Sequence, residues 1–218
     1  MISHLFFRRS LTLLLMLLFA YSTGSARVVY VDVTASAGAL DGTSWANAYT
    51  SLSSALTAAL VNDSLWVADG TYYPGASGNN TATFAMKKNV TLLGGFEGLS
   101  GAQETMTSQR NPWLNLCILS GDLDTSGTFT SADAYHVISC INKDTTAVMD
   151  GFTITGGNAA GPGATNRGGA IYSVGGGFVV NNCDLTENNT SRFGAAIYAS
   201  STKLYISNTF IRNNNSGS

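Results

Sequence analysis

The stretch GGAIYSVGGGFVVNNCDLTENN (168–189) returns as GAAIYASSTKLYISNTFIRNNN (194–215), and this near-repetition constrains the fold more than any other feature. Aligning Ala170-Ile171-Tyr172 with Ala196-Ile197-Tyr198 sets an offset of 26. The same offset carries Phe178 to Leu204, Val180 to Ile206, Asn182 to Asn208, Leu185 to Ile211 and Asn188 to Asn214. An earlier copy, VMDGFTITGGN (148–158), fits at an offset of 31, with Gly151 opposite Asn182, Ile154 opposite Leu185 and Gly157 opposite Asn188. Its extra length falls in the glycine-rich loop NAAGPGATNRGG.

Within each copy the apolar residues alternate over short runs bounded by Gly or Asn, the pattern of strands ended by turns. Three short strands per 26 residues, each stacked on its counterpart in the next copy, describe a parallel β-helix. One coil alone buries too few apolar side chains to offset the entropy of ordering its backbone, so the coils must stack. On this register Val180 and Ile206 point inward on successive coils and Tyr205 points out. Eight of the 35 residues from 181 to 215 are Asn. At corners Asn tolerates left-handed backbone angles, and its amide can bond the Asn one coil away. Asn182 over Asn208 and Asn188 over Asn214 are the expected ladders.

Upstream, DSLWVADGTYY (63–73), KNVTLLGGFEG (88–98), LCILSGDLD (116–124) and AYHVISC (134–140) read as strands of earlier, less regular coils. Before them SLSSALTAAL (51–60) sets Leu52, Ala55, Leu56 and Ala59 on one helical face, with Thr50 or Ser51 as N-cap. Such a helix is expected to cap the first coil.

The opening segment places Arg8 and Arg9 before an apolar run from Leu11 to Ala20, then small residues ending at Gly24-Ser25-Ala26. That order reads as a secretory signal peptide over 1–26; the run falls well short of the ~20 residues a membrane span needs. The expected organisation is a signal peptide (1–26), an N-terminal strand and capping helix (27–63) and β-helix coils (64–218), with no membrane span in the mature chain. The leader takes two of the eleven basic residues, leaving nine against thirteen acidic ones, a net charge of −4. That balance disfavours nucleic acid as a partner, whose binding rests on basic contacts to phosphate. Cys117, Cys140 and Cys183 are an odd set that cannot close a disulfide framework. They read as buried small apolar residues, with one disulfide left open and unassigned.

GGAI at 168–171, its variant GAAI at 194–197, and the phrases Cys183-x-Leu185-x-x-Asn188 and Thr209-x-Ile211-x-x-Asn214 resemble the GGAI and FxxN repeats of chlamydial polymorphic outer-membrane proteins. The front, DGTSWANAYTSLSSAL followed by LWVADGTYYP, is similar to the start of secreted β-helix proteins of Bacteroidetes and related bacteria. The resemblance implies an all-β, right-handed parallel β-helix of the pectate-lyase-like kind, exported to the extracellular space or the outer-membrane surface. It departs from both families where a C-terminal barrel or sorting domain is due. Only Asn215 to Ser218 follow Asn214, where the next GGAI strand should begin. The expectation is an open C-terminal end, truncated from a longer parent or covered by another chain through end-to-end self-association.

A lyase on such a fold needs carboxylates on one face to hold Ca²⁺ against a uronate, and a Lys or Arg to take the acidified proton. In register, Asp150 maps to Asn181 and then Ser207, and Asp184 maps to Phe210. Neither column carries a second acid, and a hydrolase's paired carboxylates are missing from these coils too. In SGDLDTSGTFTSAD (120–133), Asp122 and Asp124 are the one candidate pair for Ca²⁺, while the expectation for cofactors is none. His136 is the only histidine outside the leader and reads as a strand residue at a coil edge rather than a general base. Tyr172 and Tyr198, one coil apart, could form an outward platform for a sugar ring, although a repeating chain stacks tyrosines in any case. No catalytic residue emerges. The expected function is an adhesion or scaffold module that contacts an extracellular polysaccharide or a cell-surface ligand. The alternative is a polysaccharide lyase with its site in residues 90–150.

Overall fold

The computed structural model describes residues 26–217, so the expected signal peptide, apart from Ala26, lies outside the described residues. β1 (Val28–Val31) leads through the one α-helix among the described residues, α1 (Leu52–Ala58), to β2 (Ser64–Ala68) and β3 (Gly70–Tyr72). β4 (Phe84–Ala85), β5 (Val90–Phe96) and β6 (Cys117–Ser120) follow. The next round is β7 (Ile138–Lys143), β8 (Ala147–Asp150), β9 (Thr153–Thr155) and β10 (Asn158–Ala159). The last two rounds are β11 (Ile171–Asn181), β12 (Asp184–Thr186) and β13 (Asn189–Thr190), then β14 (Ile197–Ser207), β15 (Phe210–Arg212) and β16 (Asn215–Ser216).

These strands form three parallel sheets that curl around one apolar interior. The largest runs β1-β2-β5-β8-β11-β7-β4, with β14 also on β11; the second runs β15-β12-β9-β6-β3; the third runs β10-β13-β16. The offset of 26 is the pairing register itself: Ile171 pairs with Ile197, Phe178 with Leu204, Val180 with Ile206 and Leu185 with Ile211. The offset of 31 likewise pairs Asp150 with Asn181 and Ile154 with Leu185. Upstream spacings are uneven, 36 residues from β1 to β2 and 27 from β2 to β5, and the loops 97–116 and 121–137 lengthen the rounds that contain them.

Parallel pairing in register puts like residues in columns, and the interior is built of them. Leu92, Met149 and Val180 follow one another through β5, β8 and β11; Leu119, Ile154 and Leu185 do so through β6, β9 and β12. All six are fully buried or nearly so. Cys117, Cys140 and Cys183 are buried free thiols packed in the same cluster, as their reading as small apolar residues requires. Ile206 departs from expectation. It shares Val180's phase, yet it is 41% exposed, because β14 has a paired neighbour only in β11 and the other side of that strand has no described partner. Tyr205 does point out, 56% exposed.

Helix α1 has the expected buried face of Leu52, Ala55 and Leu56, and Ser51 is its N-cap, its Oγ accepting from Ser54 N at 3.3 Å. β1 precedes it, and the helix packs on β1, β2 and β4. No described helix is long and apolar enough to cross a membrane.

A second cluster was not legible in the repeat. Trp45, Trp66 and Phe96 pack on the outer face of β2 and β5 with Tyr30, and Trp66 stacks on Phe96 at 4.7 Å. The adjoining loop is held down by buried carboxylates. Glu104 accepts from the amides of Glu97 and Gly98, and Asp32 accepts from that of Leu99 at 2.8 Å.

Candidate functional site

Three surface features are candidates for a site: a row of rings set by the stacking of strands, and two that join the strands to inserted loops. The first is a row of rings. Because β11 and β14 pair residue for residue, Tyr172 stacks on Tyr198 at 5.6 Å and 13°, and His136, just before β7, stacks on Tyr172 at 4.7 Å and 19°. Arg167 closes the row, its Nη1 donating to the Tyr198 hydroxyl at 3.0 Å with the guanidinium 5.2 Å from the ring centre. The ring faces are therefore spent on one another, and little remains for a sugar to stack on. His136 Nδ1 lies 3.0 Å from the Gly168 carbonyl, and burial holds its pKa below the ordinary imidazole value.

The second feature is a cleft of about 620 Å³ on the outer face of the sheet containing β6, β9, β12 and β15. Trp113 and Phe210 form its apolar wall, edge to face at 5.6 Å, and are 51% and 59% exposed. Leu116 and Thr186 line it beside an ion pair in which Arg212 reaches Asp184 at 2.6 Å. Sequence reasoning missed this cleft. Trp113 comes from an insertion outside the repeat, and only the pairing of β6 through β9 and β12 with β15 brings it over Phe210.

The third is acidic. After β6 the chain turns through Asp122 to Asp124 and returns, and Ala134 N donates to the Gly121 carbonyl at 2.9 Å to close the loop's base. Asp122 accepts from the amides of Ser126 and Gly127 at 3.1 and 2.9 Å. Asp124 accepts from the Ser126 amide and the Thr130 hydroxyl at 3.1 and 2.8 Å, and the hydroxyl side chains of Ser126 and Thr130 hold its pKa below the usual carboxylate range. Asp133, absent from the sequence-level pair, joins them through the loop closure, its Oδ2 accepting from Thr130 N at 2.6 Å. Burial raises its pKa, and the nearby charges of Asp124 and Asp122 raise it further. Beside the three lies an open cavity of about 540 Å³ to which Ser120, Thr155 and Glu187 contribute.

No family model, no curated protein and no solved structure matches this chain. Asp150 and Asp184 are each occupied by an arginine. Asp150 pairs with Arg110 at 2.7 Å and accepts from the Asn182 amide at 2.9 Å, and the registers Asp150–Asn181–Ser207 and Asp184–Phe210 stand as the sequence columns require. Burial pushes the Cys117 and Cys183 thiols up to about 12 and Cys140 up to about 11, so all three stay protonated and inert as nucleophiles at neutral pH.

Proposed function

We propose that the chain is an exported right-handed parallel β-helix, resembling the repeats of chlamydial polymorphic outer-membrane proteins, that serves as an adhesion module for extracellular polysaccharide. In this reading residues 1–26 direct export, and α1 shields the interior at the end where β1 lies. Registered parallel pairing with offsets of 26 and 31 supports the β-helix, since right-handed crossovers are the rule for parallel strands.

The observation that carries the functional reading is the outer cleft. An exposed indole edge and a phenyl ring offer an apolar face for a sugar ring, and the Arg212–Asp184 pair with Thr186 offers donors and acceptors for its hydroxyls. Retardation of the protein in gels containing acidic or neutral polysaccharides tests this. Trp113→Ala should weaken retardation at least tenfold without changing the melting temperature, and retardation that is unaltered by the substitution refutes the assignment of the cleft.

A second reading, a polysaccharide lyase, draws on the acidic cavity, which lies largely within residues 90–150 where such a site is expected. Its described lining contains no Lys or Arg to serve as the base that β-elimination needs. Appearance of an unsaturated product's ultraviolet absorbance from a uronan, lost on chelation, would decide for the lyase.

A further inference from the structure

We infer that Asp122, Asp124 and Asp133 together bind one calcium ion. A carboxylate oxygen from each lies within 4.8 Å of those from the other two. Two oxygens bound to the same Ca²⁺ at 2.3–2.6 Å can stand at most about 5 Å apart, a limit that every pair of the three meets.

The convergence of acids is not the only sign. Asp133 is 1% exposed, and its Oδ1 is buried without any donor. Asp63 shows what this chain does with the same local geometry when no cation is wanted from outside. Its Oδ2 accepts from Leu60 N three residues back, as Asp133 accepts from Thr130 N, and its Oδ1 is likewise buried without a donor. There Arg27 Nε, at 2.9 Å, supplies the positive charge. Among the described residues no Lys or Arg forms an ion pair with Asp122, Asp124 or Asp133. In the arginine's place Asp133 has two more carboxylates, so a buried negative charge faces its own sign. A divalent cation relieves that repulsion.

The ligands are oriented in advance. Amides of Ser126 and Gly127 hold Asp122, while the Ser126 amide and the Thr130 hydroxyl hold Asp124, and each carboxylate oxygen keeps a free lone pair. Ca²⁺ takes six to eight oxygens, and the adjoining cavity admits the waters that complete the shell. An all-oxygen set on a loop suits Ca²⁺ better than Mg²⁺, which demands near-ideal octahedral geometry and gives up water reluctantly.

The test is calorimetric titration of the chelator-stripped protein with CaCl₂, with thermal melts alongside. The expected result is one site per chain and a saturable rise in melting temperature, with a smaller response to MgCl₂. Asp124→Asn and Asp133→Asn should each weaken Ca²⁺ binding at least tenfold while keeping the far-ultraviolet dichroism spectrum. Asp124 sits on the outer side of the loop, so its variant folds even if that of buried Asp133 does not. Absence of a saturable response up to about 10 mM Ca²⁺, well above the range of weak sites, overturns the inference. So does wild-type affinity in Asp124→Asn, or a Mg²⁺ response equal to that of Ca²⁺. Polysaccharide retardation by the outer cleft is scored separately, so either assignment can fail alone.

Discussion

Single side chains inside a stack are judged by what lies above and below them. Val180 is fully buried between Met149 and Ile206, so Val180→Asp places an uncompensated charge in the interior and should cost about 3–5 kcal/mol in chemical unfolding. Tyr205→Asp, on the exposed face of the next strand, should stay within about 0.5 kcal/mol. Asn188 is the polar counterpart of Val180. Its Nδ2 shares its two N–H groups among the carbonyls of Ile154 and Thr186 and Asn214 Oδ1, and its Oδ1 accepts from Gly157 N. Asn188→Ala strips buried partners on three successive rounds and should cost about 1–3 kcal/mol. His136 adds a pH dependence. Its folded pKa lies below the unfolded value near 6.5, so the unfolded chain binds the extra proton first and stability falls as pH drops through 6.5 toward the folded pKa. Melting temperatures of His136→Gln should lose that acid-side decline relative to wild type, and an unchanged profile would assign the decline to other groups. The Asn188–Asn214 bond was legible from the offset alone. The Asn182–Asn208 ladder was not realised: Asn182 takes the left-handed angle expected at a corner, but its amide donates to Asp150 instead. A further ladder through Asn158, Asn189 and Asn215 stands in the same register, one residue along from the Asn188 column.

Elements add constraints that alignment of side chains does not carry. β11 runs unbroken for 11 residues, yet its first half pairs with β7 and its second with β8, across the turn at Asp144–Thr146. Gly175, Gly176 and Gly177 bridge that gap. Gly176 has φ +91°, and a Cβ there would collide with the Lys143 carbonyl. On the far side Gly176 pairs with Thr202, which has a side chain at the same register, so the glycine answers to the β7–β8 turn rather than to the coil corner. Gly176→Val should therefore lower the melting temperature strongly, whereas Thr202→Val should be mild; equal effects would mean that the strand, not the turn, demands the glycine. This distinction explains how far the sequence could be read. Parallel strands and their register were visible wherever copies shared an offset, because a parallel ladder repeats side chains as well as backbone. The arrival of Trp45 on Trp66 and Phe96, the Trp113 wall of the cleft and the arrival of Asp133 beside Asp124 depend on segments with no counterpart in the repeat. Nothing in a periodic pattern fixes where an aperiodic loop lands.

On the scale of the whole molecule, each round touches mainly its neighbours, so stability should be distributed unevenly along the stack. Met149 in β8 is fully buried, with Leu92 on one side and Val180 on the other. Leu204 in β14 is only half-buried and pairs with Phe178 alone among the described residues. Met149→Ala opens a cavity with packed walls on both sides and should cost about 2–5 kcal/mol, destabilising the rounds that flank it together. Leu204→Ala removes contacts from one side, and the loss should be confined to residues 194–217, whose amides would exchange faster while those of β5, β6, β8 and β9 keep their protection. Native-state hydrogen exchange on the two variants separates a nearest-neighbour stack from a single cooperative core. If Leu204→Ala lowers protection uniformly from β2 to β15, coupling runs the length of the interior and the molecule unfolds as one unit. If the loss stops at β14, the round from residue 194 onward forms a separately opening unit. The Trp113–Phe210 cleft, which takes one wall from that unit, would then open and close with it.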